Sequence, residues 1–145
     1  MKHTYFRNAV ISLLLLVVSG CAAGKQELSV QDVWARPGLA GGTSAVYFVI
    51  DNPGEDAEVL KSARSDAAAQ VELHKSEMDA SGTMTMMPQE SVSVPAGGKV
   101  EFKAGGYHVM LINLKQALQP GDTFSITLDF EKAGSKSYQV TVKQP

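Results

Sequence analysis

The stretch TFSITLDFE, Thr123–Glu131, decides the fold class of this chain. Its apolar residues occupy every second position and form one face, made by Phe124, Ile126, Leu128 and Phe130. Successive side chains of a β-strand point to opposite faces, so this period of two predicts a half-buried strand. Ser137–Val142 repeats the alternation a few residues later. The C-terminal part of the chain is therefore predicted to be a sheet.

On both sides of this stretch, the sequence predicts short strands separated by turns. Ser44–Asp51 is apolar on both faces, which predicts a central strand. Further strands are predicted at Leu28–Arg36, Ala57–Ala63, Val71–His74, Ser91–Val94, Lys99–Phe102 and Gly105–Leu114. No segment has a helical period over ten or more residues. The sequence predicts one all-β domain over residues 28–145, a Greek-key β-sandwich or barrel.

The N-terminus has the features of a secretory signal peptide, predicted over residues 1–20. Lys2 and Arg7 precede the apolar run Ala9–Val18, which is too short to cross a bilayer as a helix. The following sequence VSGC, residues 18–21, resembles the lipobox of bacterial lipoproteins, in which the cysteine becomes the acylated first residue. An ordinary signal peptide with an incidental Cys21 is the alternative.

Lipidation of Cys21 would make residues 21–27 a lipidated cysteine and a short tether. The sequence thus predicts a periplasm-facing protein of the bacterial cell envelope, anchored to a membrane through its lipid. The residues after the cysteine are Ala22 and Ala23. They lack the aspartate that retains many Gram-negative lipoproteins at the inner membrane, which favours the outer membrane.

Charge and residue usage exclude several classes of function. Without Lys2 and Arg7, 11 of the 13 basic residues of this 145-residue chain remain against 15 acidic ones, a side-chain balance of −4. Nucleic-acid binding would need a basic face, so no nucleic-acid partner is expected. Cys21 is the only cysteine, which rules out an intrachain disulfide. We find no nucleophile–base motif and no paired carboxylates in a recognisable spacing, and predict that the protein is not an enzyme.

Histidine and methionine have an unusual distribution in the mature chain. The two histidines after the signal peptide are His74 and His108, and four of the five methionines lie in or beside their segments. The five methionines are Met78, Met84, Met86, Met87 and Met110. The segment from 81 to 88 is otherwise polar and turn-like, unlike the surroundings of core methionines. Such a segment serves either as an adaptable binding surface or as a source of thioether ligands for a soft metal.

The donor types favour one metal. Thioether sulfur combined with imidazole suits Cu(I), whereas zinc prefers thiolate or carboxylate partners and Ca²⁺ and Mg²⁺ require oxygen. His108 and Met110 would stand on one face of a strand. Whether His74 joins them stays open, since His108 would share its face with the core-like Ile112 and Leu114, and His74 with the exposed Glu72.

The spacing of these residues resembles the metal signature of the periplasmic PCu(A)C copper chaperones. His74 and Lys75 are followed by ten residues, Met86, twenty-one residues, and then the sequence HVM, residues 108–110. Similar landmarks lie along nearly all of the mature chain, at residues 33–37, 45–47, 51–52, 94–98, 105–108 and 120–122.

The resemblance implies a cupredoxin-like fold and a Cu(I) site formed by His74, Met86, His108 and Met110. It also implies copper delivery to the copper A centre of cytochrome c oxidase subunit II, alongside a Sco-type thiol protein. Lys75 replaces the optional methionine of the signature and would place a cation near the site. Two neighbours of Met86 are candidates for auxiliary ligands, Met84 and Met87.

Two alternatives to a dedicated chaperone remain at this stage. One is general buffering of copper in the periplasm without an oxidase client. The other is a metal-free β-sandwich that uses its methionine-rich segment as an interaction surface.

Overall fold

The computed structural model describes residues 27–145 as an all-β fold. The predicted signal peptide, Cys21 and all of its predicted tether but the last residue lie outside the described residues. The strands are β1 (Ser29–Ala35), β2 (Thr43–Asn52), β3 (Glu58–Arg64), β4 (Ala68–Met78), β5 (Met84–Pro88), β6 (Val92–Val94), β7 (Gly98–Phe102), β8 (Tyr107–Leu114), β9 (Thr123–Phe130) and β10 (Gly134–Val142). Residues 27–145 contain no helix that could cross a membrane.

The strands form one sheet in the order β5-β4-β8-β7-β2-β1-β10-β9-β3-β6, and β8 also pairs with β2. The sheet folds over on itself, so that β3 comes next to β4 and β2 next to β6. Aliphatic and aromatic side chains of both halves fill the space between them. Phe48 of β2 stacks on Phe102 of β7 in this core, with ring centroids 4.3 Å apart.

The alternation that decided the fold class is confirmed in β9. Ile126, Leu128 and Phe130 are buried, and Phe124 packs against the core from the sheet end. The predicted central strand is also confirmed, because β2 is paired on both sides, with β1 on one edge and with β7 and β8 on the other.

The methionine-rich segment differs from the prediction of a polar, turn-like segment. Only its first residues form a turn, and Met84–Pro88 is β5, an edge strand that pairs with β4. All five residues of β5 are exposed, so the strand has no apolar face that an alternation rule could detect. Pairing with the long strand β4 is what makes this segment extended.

A buried carboxylate, Glu58, ties β3 to the turn after β9. It accepts hydrogen bonds from the backbone amides of Val59, Lys132 and Ala133 at 2.8 to 3.0 Å. Burial of the carboxyl raises its pKa, but the three amide donors together outweigh burial and the pKa is lowered overall. The ionised form of Glu58 therefore stabilises the fold.

Glu58→Gln is expected to lower the free energy of unfolding by about 1–3 kcal/mol at pH 7, because a neutral amide replaces a charged acceptor. Because the folded-state pKa is depressed, the contribution is present above the ordinary glutamate pKa of about 4.3 and is lost as the pH falls. Urea unfolding at pH 7 and pH 3.5 measures this. Glu55→Gln, at an exposed position in the preceding turn, is the matched control. An equal loss at both pH values would contradict the assignment.

Candidate metal centre

The candidate site begins with the pairing of β4 and β8. These antiparallel neighbours place His74 directly opposite His108, and directly opposed residues share a face of the sheet. The two imidazole rings lie 5.7 Å apart between centroids and are tilted by 55°. The structure thus brings together two residues whose convergence the sequence left open.

The expectation that His108 lies on the core face and His74 on the exposed face was wrong. The core side of β8 is formed by Val109 and Leu111, while His108 and Met110 lie on the opposite side, together with a half-buried Ile112. Asn113 has a positive φ of 57°, a conformation that asparagine tolerates better than most residues. This irregularity lets the next residue, leucine, return to the core, which is why the simple alternation rule misplaced the whole strand.

A cavity of about 560 Å³ opens on this face of the sheet. Side chains of the predicted ligands line it, namely Met86, His108 and Met110, together with Met84. His74 does not line the cavity itself, but its ring lies 5.7 Å from that of the lining residue His108. The register explains the grouping: Met86 pairs with Ser76, two residues after His74, so β5 contributes the same face as β4 and β8.

The second auxiliary candidate, Met87, lies on the other side of the sheet. Its partner in β4 is Lys75, which pairs on its other side with Tyr107. Lys75 is also turned away from the two histidines: its ammonium bonds Glu77 at 2.6 Å and lies 5.4 Å from the Tyr107 ring centre. The expected cation beside the site is therefore on the opposite face.

His108 is held in one orientation. It is 4% exposed, and its Nδ1–H donates to the Gly106 carbonyl at 3.1 Å. Burial lowers its pKa most; the Gly106 hydrogen bond opposes this and the nearby His74 adds to the lowering. At neutral pH the ring is uncharged, and Nε2 keeps its lone pair. Within residues 27–145, no hydrogen-bond partner contacts this Nε2.

His74 is also held through one ring nitrogen, but here Nε2 is the bonded nitrogen and Nδ1 the free one. Its Nε2–H donates to Glu72 Oε2 at 2.8 Å, so that in the neutral ring, the form that binds a metal, the lone pair is on Nδ1. That Nδ1 is buried and has no hydrogen-bond partner in the described part of the chain. Buried polar atoms are almost always bonded, so this unpartnered nitrogen is available to a ligand.

Sequence reasoning missed Glu72 and Gly106 as partners of the histidines. Glu72 lies two residues before His74, a spacing that places both side chains on one face of β4. Gly106 contributes its backbone carbonyl from the turn just before β8. Sequence reasoning also missed Ala45 and Tyr47 of β2, which complete the cavity wall. The β2–β8 pairing that brings them there is long-range and leaves no local sequence signal.

The donor set is soft and uncharged. Two neutral imidazole nitrogens and up to three thioethers face the same space, and the cavity lining holds no carboxylate side chain. Among residues 27–145, no group of three or more His, Cys, Asp and Glu side chains could hold a metal ion. Zinc and the hard cations prefer such groups, whereas imidazole with thioether suits a soft cation of low charge. The residues therefore fit a soft cation.

Comparison with known proteins agrees with this geometry. A family model described as "Putative lipoprotein LpqE-like" matches residues 28–142. A curated relative, "Putative lipoprotein Lxx21020" from Leifsonia xyli subsp. xyli, is 31% identical over 149 residues, which cover 94% of this chain and 89% of that protein.

Two solved structures are similar in fold and sequence. The apo PCuAC domain of PmoF1 has a TM-score of 0.70 and 25% identity, and covers 84% of this chain and 96% of that domain. The Cu(I) form of DR1885 from Deinococcus radiodurans has a TM-score of 0.60 and 28% identity, with 83% of each chain covered. These likenesses confirm the resemblance to PCuAC domains and the cupredoxin-like fold.

Proposed function

The chain belongs to the LpqE-like family of lipoproteins, and we propose that it is a lipid-anchored copper chaperone. In this proposal one Cu(I) ion is cargo, held by His74, Met86, His108 and Met110. Cys21 carries the lipid and anchors the domain in the bacterial cell envelope, facing the periplasm. The Cu(I) form of the similar protein DR1885 supports the choice of ion.

One observation carries the proposal. His74 and His108 are paired across two strands, each with one ring nitrogen bonded to the protein and the other free. Histidine ligands of metals usually donate their second N–H in this way, which fixes the tautomer. Met86 and Met110 supply neutral sulfur on the same face, and sulfur with imidazole is a donor set that suits Cu(I).

The arrangement suits transfer rather than storage. Met86 lies on the edge strand and is 56% exposed, while His108 is buried at the inner end of the site. An acceptor can therefore approach the ion from the β5 side and replace an exposed thioether first. No thiolate has to be released, because the four proposed ligands are imidazoles and thioethers.

An anaerobic Cu(I) competition titration against a chromogenic chelator tests the proposal. The domain from Ala22 is expected to take up one equivalent of Cu(I). Failure of the wild-type domain to compete would overturn the proposal and favour the alternative of a metal-free interaction module.

Met86 and Met87 offer a matched pair for this titration. Both are about equally exposed on β5, at 56% and 54%, but only Met86 faces the histidines. Met86→Leu is expected to weaken Cu(I) binding by roughly 10-fold or more, because the leucine keeps the volume but not the sulfur donor. Met87→Leu is expected to leave it unchanged. Equal effects of the two substitutions would argue against the assigned face.

Met84 is the auxiliary ligand on the site face. Met84 and Met86 line the same cavity, so Met84 can replace Met86 in part. The double variant M84L/M86L is then expected to bind more weakly than M86L. If M84L/M86L binds Cu(I) as tightly as M86L, Met84 is not a ligand of the site.

For the acceptor we propose the copper A centre of cytochrome c oxidase subunit II, with a Sco-type protein acting alongside. General copper buffering is the competing function. Mixing the Cu(I)-loaded domain with the soluble apo domain of subunit II separates them. Transfer of two Cu(I) ions gives a colourless dicopper(I) centre, so the chaperone is expected to yield the copper A absorption spectrum once one equivalent of a one-electron oxidant such as ferricyanide is added. Retention of copper by the domain would favour buffering.

A further inference from the structure

We propose that Glu72 is the positioning residue of the site, which makes His74 bind Cu(I) through Nδ1. This inference rests on the proposed function and assigns a role to a residue outside the four ligands. His108 would bind through the other ring nitrogen, Nε2, because the Gly106 carbonyl holds its Nδ1–H.

The first step is the tautomer of His74. A neutral imidazole has a single N–H, and the Glu72 carboxylate, 2.8 Å from Nε2, can only accept. The proton therefore stays on Nε2 and the lone pair on Nδ1. Loss of the carboxylate would free the ring to take the other tautomer or to rotate.

The second step is the availability of the free nitrogen. His74 Nδ1 is buried and unpartnered within the described residues, and the His108 ring centre is 5.7 Å from that of His74. A buried acceptor without a partner is costly in free energy, and a bound ion would offset that cost. The Glu72 bond thus keeps the protein in a state prepared for an ion.

The third step is the place of Glu72 itself. It pairs directly with Met110 across β4 and β8, so its carboxylate lies on the site face, next to two of the four ligands. The side chain is 43% exposed and is in contact with water. A carboxylate behind a ligand histidine raises the basicity of the ring and fixes its orientation.

Glu77 provides a matched control on the same strand. It also bonds a residue two positions away, Lys75 at 2.6 Å, but on the opposite face. Glu77→Ala removes an equally local carboxylate bond without touching the site. Glu72→Gln is the conservative variant, because its amide oxygen still accepts from His74 while the charge is lost.

The tautomer is measured first, without metal, by long-range ¹⁵N–¹H correlation of the histidine rings. Wild type, E72Q and E77A are expected to show His74 protonated on Nε2, and E72A a mixture of both tautomers. The Cu(I) competition titration follows. E72A is expected to bind one equivalent with an affinity lowered by about 10- to 100-fold, E72Q to lie in between, and E77A to match wild type.

The outcomes separate this inference from the proposed function. Wild-type affinity in E72A, beside tight binding by the wild-type domain, overturns the positioning role of Glu72 and leaves the chaperone intact. Absence of Cu(I) binding by the wild-type domain overturns both. Thermal unfolding of each variant shows whether the domain is folded, and E72Q supplies the test if E72A is not.

Discussion

His108→Ala is expected to weaken Cu(I) binding by at least about 100-fold, the largest effect on binding at any position in the chain. The loss should exceed the 10- to 100-fold typical of a residue that supports a metal ligand, because the ligand itself is removed. His108 is also the buried centre of the donor set, next to His74 on one side and Met110 on the other. Competition against a chromogenic Cu(I) chelator measures the change.

The control for this variant lies on the same strand and the same face. Ile112 is half-buried and has no donor atom, so Ile112→Ala removes apolar contacts but no ligand. It is expected to retain wild-type Cu(I) affinity. If His108→Ala and Ile112→Ala lost affinity to the same extent, the effect would be one of packing, and His108 would not be a ligand.

Phe48→Ala is expected to have the largest effect on stability, a loss of about 3–5 kcal/mol in the free energy of unfolding. The ring is 1% exposed and stacks on Phe102 between β2 and β7. Truncation removes its buried area, breaks the aromatic pair and leaves a cavity, since close-packed surroundings relax only in part. Urea unfolding followed by circular dichroism gives the value.

The neighbouring position provides the comparison. Val49 is half-buried and points to the other side of β2, so Val49→Ala is expected to cost well under half as much. A difference in the transition midpoint without a change in slope would show that only stability is altered. Similar losses for the two variants would mean that the core lies elsewhere than between the halves of the sheet.

The strands that could be predicted are those with one apolar face. The alternation in Thr123–Glu131 predicted β9 to within one residue, and the doubly apolar stretch predicted β2 as a central strand. β5 was missed because an exposed edge strand is stabilised by its backbone partner rather than by burial of its own side chains. Such a strand has no pattern of its own.

The four candidate ligands were implied by the resemblance of their spacing to the PCu(A)C signature, whereas their geometry was not predictable. His74 and His108 meet through long-range pairing of β4 and β8, which no local pattern encodes. The face of His108 was misjudged because Asn113 interrupts the alternation with a positive φ. Glu72 was within reach of sequence reasoning, since a carboxylate two residues before a strand histidine lies on the same face.

Because side chains alternate along β8, the two faces of this strand have separate roles. Its inward residues, such as Val109 and Leu111, pack in the core, and its outward residues, His108 and Met110, line the cavity. A substitution at an outward position therefore alters the cavity lining without replacing a side chain of the apolar core, so the chemistry of the site can be changed separately from the interior.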